Sequence, residues 1–194
     1  MSKHSVEESS NSNHNCSTCS PSADKYIQIQ SKNTESDFIL NGNPVQDEFA
    51  PNSICFGCGP SNNEGLRLKS YRSNDGLIAE YECKEKHQAF PGVINGGIIG
   101  SLIDCHGNWT AAIAIMDKNG WKKPQCTVTA QYEIKLKRPT PFGKKLKLNS
   151  RVLALQKDRA EIIIELKAEG KTCATGRGLF VAVKEGHPAY HRWQ

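Results

Sequence analysis

The sequence predicts an α+β domain: a single curved antiparallel sheet of about six strands with one long helix packed against a face of it. Three observations predict it. Residues 97–116 repeat apolar side chains at helical spacing. Most of the remaining folded stretch alternates apolar and polar residues with the period of a strand. The connections between the alternating stretches are short and rich in Gly, Asp, Asn and Pro, which suits antiparallel neighbours and leaves no room for crossover helices. One helix against six strands cannot cover both faces of a doubly wound sheet.

The elements follow in order. Residues 1–50 hold ten Ser and six Asn with few branched apolar side chains, a composition that cannot offset the entropy of ordering. They are predicted to be a disordered acidic tail, with residues 51–194 as the folded domain. Residues 51–63 read as a loop from their Pro, Gly and Asn content. Leu66, Leu68 and Ser70 alternate with Arg67, Lys69 and Tyr71 as a first strand, and Asn74-Asp75-Gly76 turns the chain into a second over residues 77–83. A loop over residues 87–92 leads to Asn95-Gly96-Gly97. In the helix that follows, Ile98, Leu102, Cys105, Trp109, Ala112 and Met116 form an apolar stripe. Gly97, Ser101, Asp104 and Asn108 form a second stripe, small and polar. Residues 125–137 then alternate without a break. Cys126, Val128, Ala130, Tyr132, Ile134 and Leu136 fall on one face, with Thr127, Thr129 and Gln131 among those on the other. A Pro/Gly turn at residues 139–143 closes that strand, and residues 145–155, 160–168 and 173–183 supply three more.

Charge divides the chain as composition does. The tail carries three Lys against seven acids, about −4 of the formal +5, so residues 51–194 sum to about +9. A basic body suits a polyanionic ligand: nucleic acid, an anionic membrane or the phosphates of a nucleotide. No apolar run approaches the roughly 18 residues of a membrane span. Residues 1–24 lack the apolar stretch of a signal peptide. The expectation is a cytoplasmic protein that engages no membrane, whose eight Cys are free thiols rather than a disulfide framework.

Several short words are more specific than any periodicity. They are Cys55-Phe-Gly-Cys-Gly59 with Asn62 and Gly65-Leu66, Phe90-Pro-Gly-Val-Ile-Asn-Gly-Gly97, Leu102-Ile-Asp104, Leu136-Lys-Arg-Pro-Thr-Pro141 and Gly176 through Phe180. Together they resemble the hotdog-fold thioesterases of the phenylacetate-pathway (PaaI-like) branch, from about residue 50 to the end and most specifically over residues 92–109. The resemblance implies a hotdog fold, with the sheet wrapped around the central helix. It implies hydrolysis of acyl-coenzyme A to free acid and coenzyme A, by a homodimer or dimer of dimers whose sites are shared between subunits. No cofactor, metal or nucleic acid is called for. One departure matters. The family often reads His-Gly-Gly where this chain has Asn95-Gly96-Gly97, and Asn hydrogen-bonds but does not titrate near neutral pH. A general-base imidazole at that position is therefore excluded.

Thioester hydrolysis needs donors for a developing oxyanion and a carboxylate that attacks or activates water. Free N–H groups and the positive helix end meet at Gly96-Gly97, where glycine lets a carbonyl approach closely. The resemblance assigns the polarising amide to Gly96 and the base or nucleophile to Asp104. Two helical turns separate them, about 12 Å along the axis, too far for one carbonyl on one straight helix. Sites shared between subunits would pair one helix start with the partner's acid. Each residue also has a plainer reading. Asp104 is a solvated or capping carboxylate, although mid-helix in an apolar setting it calls for a reason. Gly96-Gly97 is a junction between loop and helix, and Asn95 an N-cap as well as a substrate contact. Asn108 lies on the polar stripe as a substrate or supporting residue, His106 lies off it as a structural one, and His87 lines the acyl entrance or the surface. Arg138 leads eight basic residues between 135 and 157, a stretch without an acid. They form a solvated face or a dock for the coenzyme's phosphates.

Three other functions stay open. One is a hotdog module that binds acyl-CoA without turning it over. Another is a hotdog dehydratase, which wants a His/Asp pair. The third is a zinc or redox protein built on Cys16/Cys19 and Cys55/Cys58. The 35-residue gap between those pairs exceeds zinc-ribbon spacing, and a thioredoxin-like strand–helix setting is missing.

Overall fold

A helix of 24 residues, α2 (Gly96–Asn119), is the axis of the computed structural model, which describes residues 38–193. Its start is set by Asn95, whose extended backbone (φ −63°, ψ 135°) and side-chain oxygen accept the helix; Oδ1 takes the N–H of Gly97 at 2.7 Å. Its end is set by Gly120 in the left-handed region (φ 66°), whose N–H reaches back to Asp117 and Met116. The apolar stripe expected on one side understates the burial. His106, Gly107, Asn108, Thr110 and Ala111 are buried as well, so the middle of α2 is enclosed on all sides.

The enclosure is a six-stranded sheet of β1 (Tyr71–Ser73), β2 (Gly76–Tyr81), β5 (Thr127–Leu136), β6 (Leu146–Leu155), β7 (Arg159–Ala168) and β8 (Lys171–Ala182), in the order β1-β2-β6-β7-β8-β5. Every neighbouring pair is antiparallel. β2, β5, β6, β7 and β8 all pack on α2, which is the expected hotdog arrangement. Two glycines set the closeness of that packing. A Cβ on Gly176 would sit 2.3 Å from Cγ2 of Ile103, and one on Gly107 2.8 Å from the Phe180 ring. Among the described residues no helix is long and apolar enough to cross a membrane.

Three expectations are corrected. Residues 66–70 alternate in burial but form no strand. Arg67 has φ 55°, and the N–H groups of Leu66 and Leu68 bond to the carbonyls of Phe56 and Gly57, so this stretch pairs with the Cys55 loop instead of a strand. Residues 87–92 are more than a loop: β3 (Gln88–Phe90) forms a small hairpin with β4 (Val93–Ile94). The composition boundary at residue 50 falls earlier in space, because α1 (Val45–Phe49) buries Val45 and Gln46 and is followed by buried Ala50. The predicted disorder of the earlier tail concerns residues that lie outside the described ones.

Gln46 shows why α1 docks. Its Nε2 donates to Ser70 Oγ (3.0 Å) and its Oε1 accepts the Ser70 N–H (2.8 Å). Ser70 Oγ in turn meets Nδ1 of His106 at 2.9 Å, and Nε2 of His106 donates to the Leu77 carbonyl at 3.1 Å. The polar groups of this fully buried cluster satisfy one another, and burial pushes His106 down to about 4, so it is neutral. Gln46→Ala is expected to cost about 1–3 kcal/mol, the scale for stranding a buried partner. Denaturant unfolding of the two proteins measures it, and an unchanged midpoint would place Gln46 outside the cooperative unit.

Candidate active site

The polar stripe of α2 is not uniform. Gly96 and Gly97 are exposed, Ser101 and Asp104 half-buried, and Asn108 buried. At the exposed end Asn95 uses its side chain on the Gly97 amide and its carbonyl on the Ile99 amide (3.2 Å), leaving the Gly96 N–H among the orphan donors of the helix start. Ser101 Oγ donates to the Gly97 carbonyl at 3.0 Å, continuing the stripe.

Asp104 is enclosed by three separate segments. From β5, Thr129 Oγ1 donates to its Oδ1 at 2.7 Å. Cys55, from the loop before β1, and Arg192, from the C-terminal segment, lie close enough to act on its charge. Burial dominates and raises the carboxyl above the usual aspartate range, Thr129 and Arg192 oppose the rise, and Cys55 adds to it. The result is a carboxylate more basic than a free one, held by one oxygen.

Thr129 reaches Asp104 because β5 contains a bulge. The register to β8 shifts between Thr129 and Gln131, so the alternation over residues 125–137 is broken at Ala130. Before the bulge the odd residues face α2: Thr127 Oγ1 meets Asn108 Oδ1 at 2.9 Å and Thr129 meets Asp104. After it the even residues do: a Cβ on Gly100 would lie 3.4 Å from Ile134 Cδ1, and one on Gly96 3.3 Å from Leu136 Cδ1. The bulge therefore brings Thr127, Thr129, Ile134 and Leu136, expected on opposite faces, to one helix.

The other candidates fall in different places. Asn108 is committed to structure: its Nδ2 donates to the Thr127 carbonyl (3.2 Å) and its Oδ1 accepts from Arg192 as well as Thr127. His87 is buried; its Nδ1 accepts the Lys84 N–H at 3.1 Å, and its ring stacks on Tyr81. Burial, helped by Lys86 and Lys84, holds it below the usual histidine range. Arg138 is exposed just beyond β5, two residues past the Leu136 that touches the helix start. Of its basic companions, Lys144 and Lys145 pair with Glu169 (2.6 Å) and Glu80 (2.9 Å), and Lys135 with Glu133, as on a solvated face.

Arg192, and the approach of Cys105 to the Cys55/Cys58 pair, escaped the sequence. Arg192 lies in a segment without periodicity, held by Trp193 stacked on Trp109 at 4.2 Å, and it donates to the Thr127 carbonyl at 2.6 Å. Cys55 and Cys58 gather around Cys105 on the helix, with all three sulfurs within 4.8 Å of one another. Cys16 and Cys19 lie outside the described residues.

The sequence pattern of the thioesterase superfamily matches residues 91–175, a span that includes the helix start, Asp104, Thr129 and Arg138. In structure the chain is similar to a thioesterase superfamily protein from Shewanella loihica, 33% identical, with a TM-score of 0.52 over 60% of this chain and 91% of that one. It shares its fold with the E. coli PaaI protein of the phenylacetic acid degradation operon (19% identity, TM-score 0.51, 61% of this chain and 81% of that one). It also shares it with a Streptococcus mutans protein bound to acetyl-CoA (16% identity, TM-score 0.50, 60% and 88%). No curated protein matches the chain in sequence.

Proposed function

The chain belongs to the thioesterase superfamily, and from that premise we propose that it hydrolyses acyl-CoA thioesters at a site built between two subunits. The observation that carries the reading is the Asp104 carboxylate, half-buried in mid-helix and held by Thr129 on a stripe that begins at the exposed Gly96 amide. Asp104 takes a proton from water, and the resulting hydroxide adds to the thioester carbonyl carbon. The partner's Gly96 N–H donates a hydrogen bond to the oxygen on which negative charge develops. Collapse breaks the C–S bond, and the coenzyme sulfur leaves with the proton that Asp104 took. Burial favours this role, since a raised carboxyl is the stronger base.

The assembly is supported by the edge of the sheet. β5 is the last strand, and it exposes Tyr132 (48%) and, beside the helix start, Leu136 (57%). Apolar side chains on an open edge invite a covering partner. A second subunit there would bury both and bring its own α2 to the stripe. The coenzyme's phosphates are assigned to Arg138, which lies next to that start. Arg138→Ala is expected to raise KM for acyl-CoA about fivefold, roughly 1 kcal/mol for an exposed ionic contact, with kcat little changed.

Coenzyme A release measured over aliphatic and aromatic acyl-CoAs tests the reading, with phenylacetyl-type groups first because residues 90–104 resemble that branch. Hydrolysis of at least one class is the expected result. Tight binding with no turnover of any would convert the reading to an acyl-CoA-binding module.

A further inference from the structure

The geometry points to a soft-metal site of the zinc class, held by the thiolates of Cys55, Cys58 and Cys105 with a solvent molecule as fourth ligand, where the Cys55 loop meets the central helix. The sequence offered Cys55-Phe-Gly-Cys58 as half of a four-cysteine set. The fold supplies a third sulfur from elsewhere, 50 positions along the chain from Cys55. The Sγ atoms of Cys55 and Cys105 lie 3.8 Å apart, and no two of the three exceed 4.8 Å. Zinc–sulfur bonds of about 2.3 Å at the tetrahedral angle put neighbouring sulfurs about 3.8 Å apart. A disulfide would need about 2.05 Å. The Cys55–Cys105 spacing fits two ligands of one ion, and the third sulfur lies within reach of both.

Hydrogen-bond donors stand around two of the sulfurs. The Trp109 indole N–H donates to Cys58 Sγ at 3.3 Å, an uncommon use of a fully buried tryptophan donor. Backbone N–H groups of Gly57 and Cys58 act on the Cys55 sulfur. Hydrogen bonds to sulfur favour its charged form and orient it for a metal.

The loop is shaped for the approach. A Cβ on Gly57 would lie 2.3 Å from Cys105 Sγ, so only glycine allows the loop so close to α2. Gly59 N–H closes the turn on the Cys55 carbonyl at 2.8 Å, and Leu66 and Leu68 pin Phe56 and Gly57 from the other side. Cys58 and Cys105 are buried, whereas Cys55 is only partly so. Solvent therefore reaches the cluster from the Cys55 side, where the fourth ligand belongs. An ion there would tie the loop to the residue next to Asp104.

The test needs no substrate, so its outcome is separate from that of the hydrolysis reading. Full-length protein prepared under reductant and supplied with Zn2+ is expected to retain about one equivalent per chain by elemental analysis. Cobalt added to the metal-free protein is expected to give a thiolate-to-cobalt charge-transfer band. Cys55→Ser, at the least buried ligand, should weaken the affinity for the probe ion at least about tenfold and diminish that band. Cys105→Ala should do the same; if it fails to fold, Cys55→Ser and the cobalt spectrum decide. The double change Cys16→Ser/Cys19→Ser should leave both readouts unaltered. Protein that holds no zinc and gives no charge-transfer band overturns the site. Loss of metal on changing Cys16 and Cys19, with retention in Cys55→Ser, overturns it equally.

Discussion

Asp104→Asn is expected to lower kcat by about two to four orders of magnitude while leaving the fold intact, the scale for removing an acid/base or nucleophilic group. The substitution preserves shape, and the new amide oxygen can still accept the Thr129 hydroxyl that now donates at 2.7 Å. It removes a charge that burial disfavours, so the melting temperature should stay level or rise. Substrate binding should persist, because the loss falls on the reacting water and not on the coenzyme. Steady-state kinetics beside a thermal melt reads both effects. A variant that keeps more than about a third of wild-type turnover removes Asp104 from the chemistry.

Subunits that are each inactive are expected to rescue one another when mixed. The useful partner for Asp104→Asn is Gly96→Pro, which deletes one N–H and little else. Gly96 is the first residue of α2, where proline is at home. Asn95 before it already has the extended backbone that proline demands (φ −63°, ψ 135°). The added ring meets the mobile end of Leu136 at about the distance that a Cβ would, 3.3 Å. Each homodimer should be inactive. In a mixed dimer the Asp104→Asn subunit supplies an intact Gly96 and the Gly96→Pro subunit an intact Asp104, so one site in two works. An equal random mixture should then regain about a quarter of wild-type activity, since about half its dimers are mixed. A mixture that stays inactive, although the subunits exchange, would place both groups of a site on one chain.

What the sequence made legible was what residue type alone encodes. The stripe from Ile98 to Met116 and the Asn95 cap suffice for most of α2, and the short turns suffice for an antiparallel sheet. Asp104 stood out because a carboxylate interrupts an apolar helix. Residues 66–70 show the limit of alternation: Leu66, Leu68 and Ser70 are buried in turn as in a strand, yet their backbone bonds go to a loop. The bulge at Ala130 was invisible for the opposite reason. An extra residue in a strand changes which faces are shared without changing the order of residue types, so alternation puts Thr129 on the face opposite Ile134 and Leu136 although all three meet α2. Cys105 and Arg192 depend on contacts between segments 50 and 84 positions apart, which no local pattern announces.

The closeness of helix and sheet has a consequence for selectivity. Where a single methyl group on Gly176 would collide with Ile103 and one on Gly107 with Phe180, a fatty or aromatic tail cannot lie between the middle of α2 and β8. On the proposed reading the acyl group must instead run along the seam where two chains meet, past Leu136 and Tyr132. Discrimination among acids would then be a quaternary property, altered by substitutions on the β5 rim and insensitive to those in the core between α2 and β8. Chain-length preference should drift readily among relatives that keep the same interior, because the surface that reads the tail lies outside the packed core and is freed from its constraints.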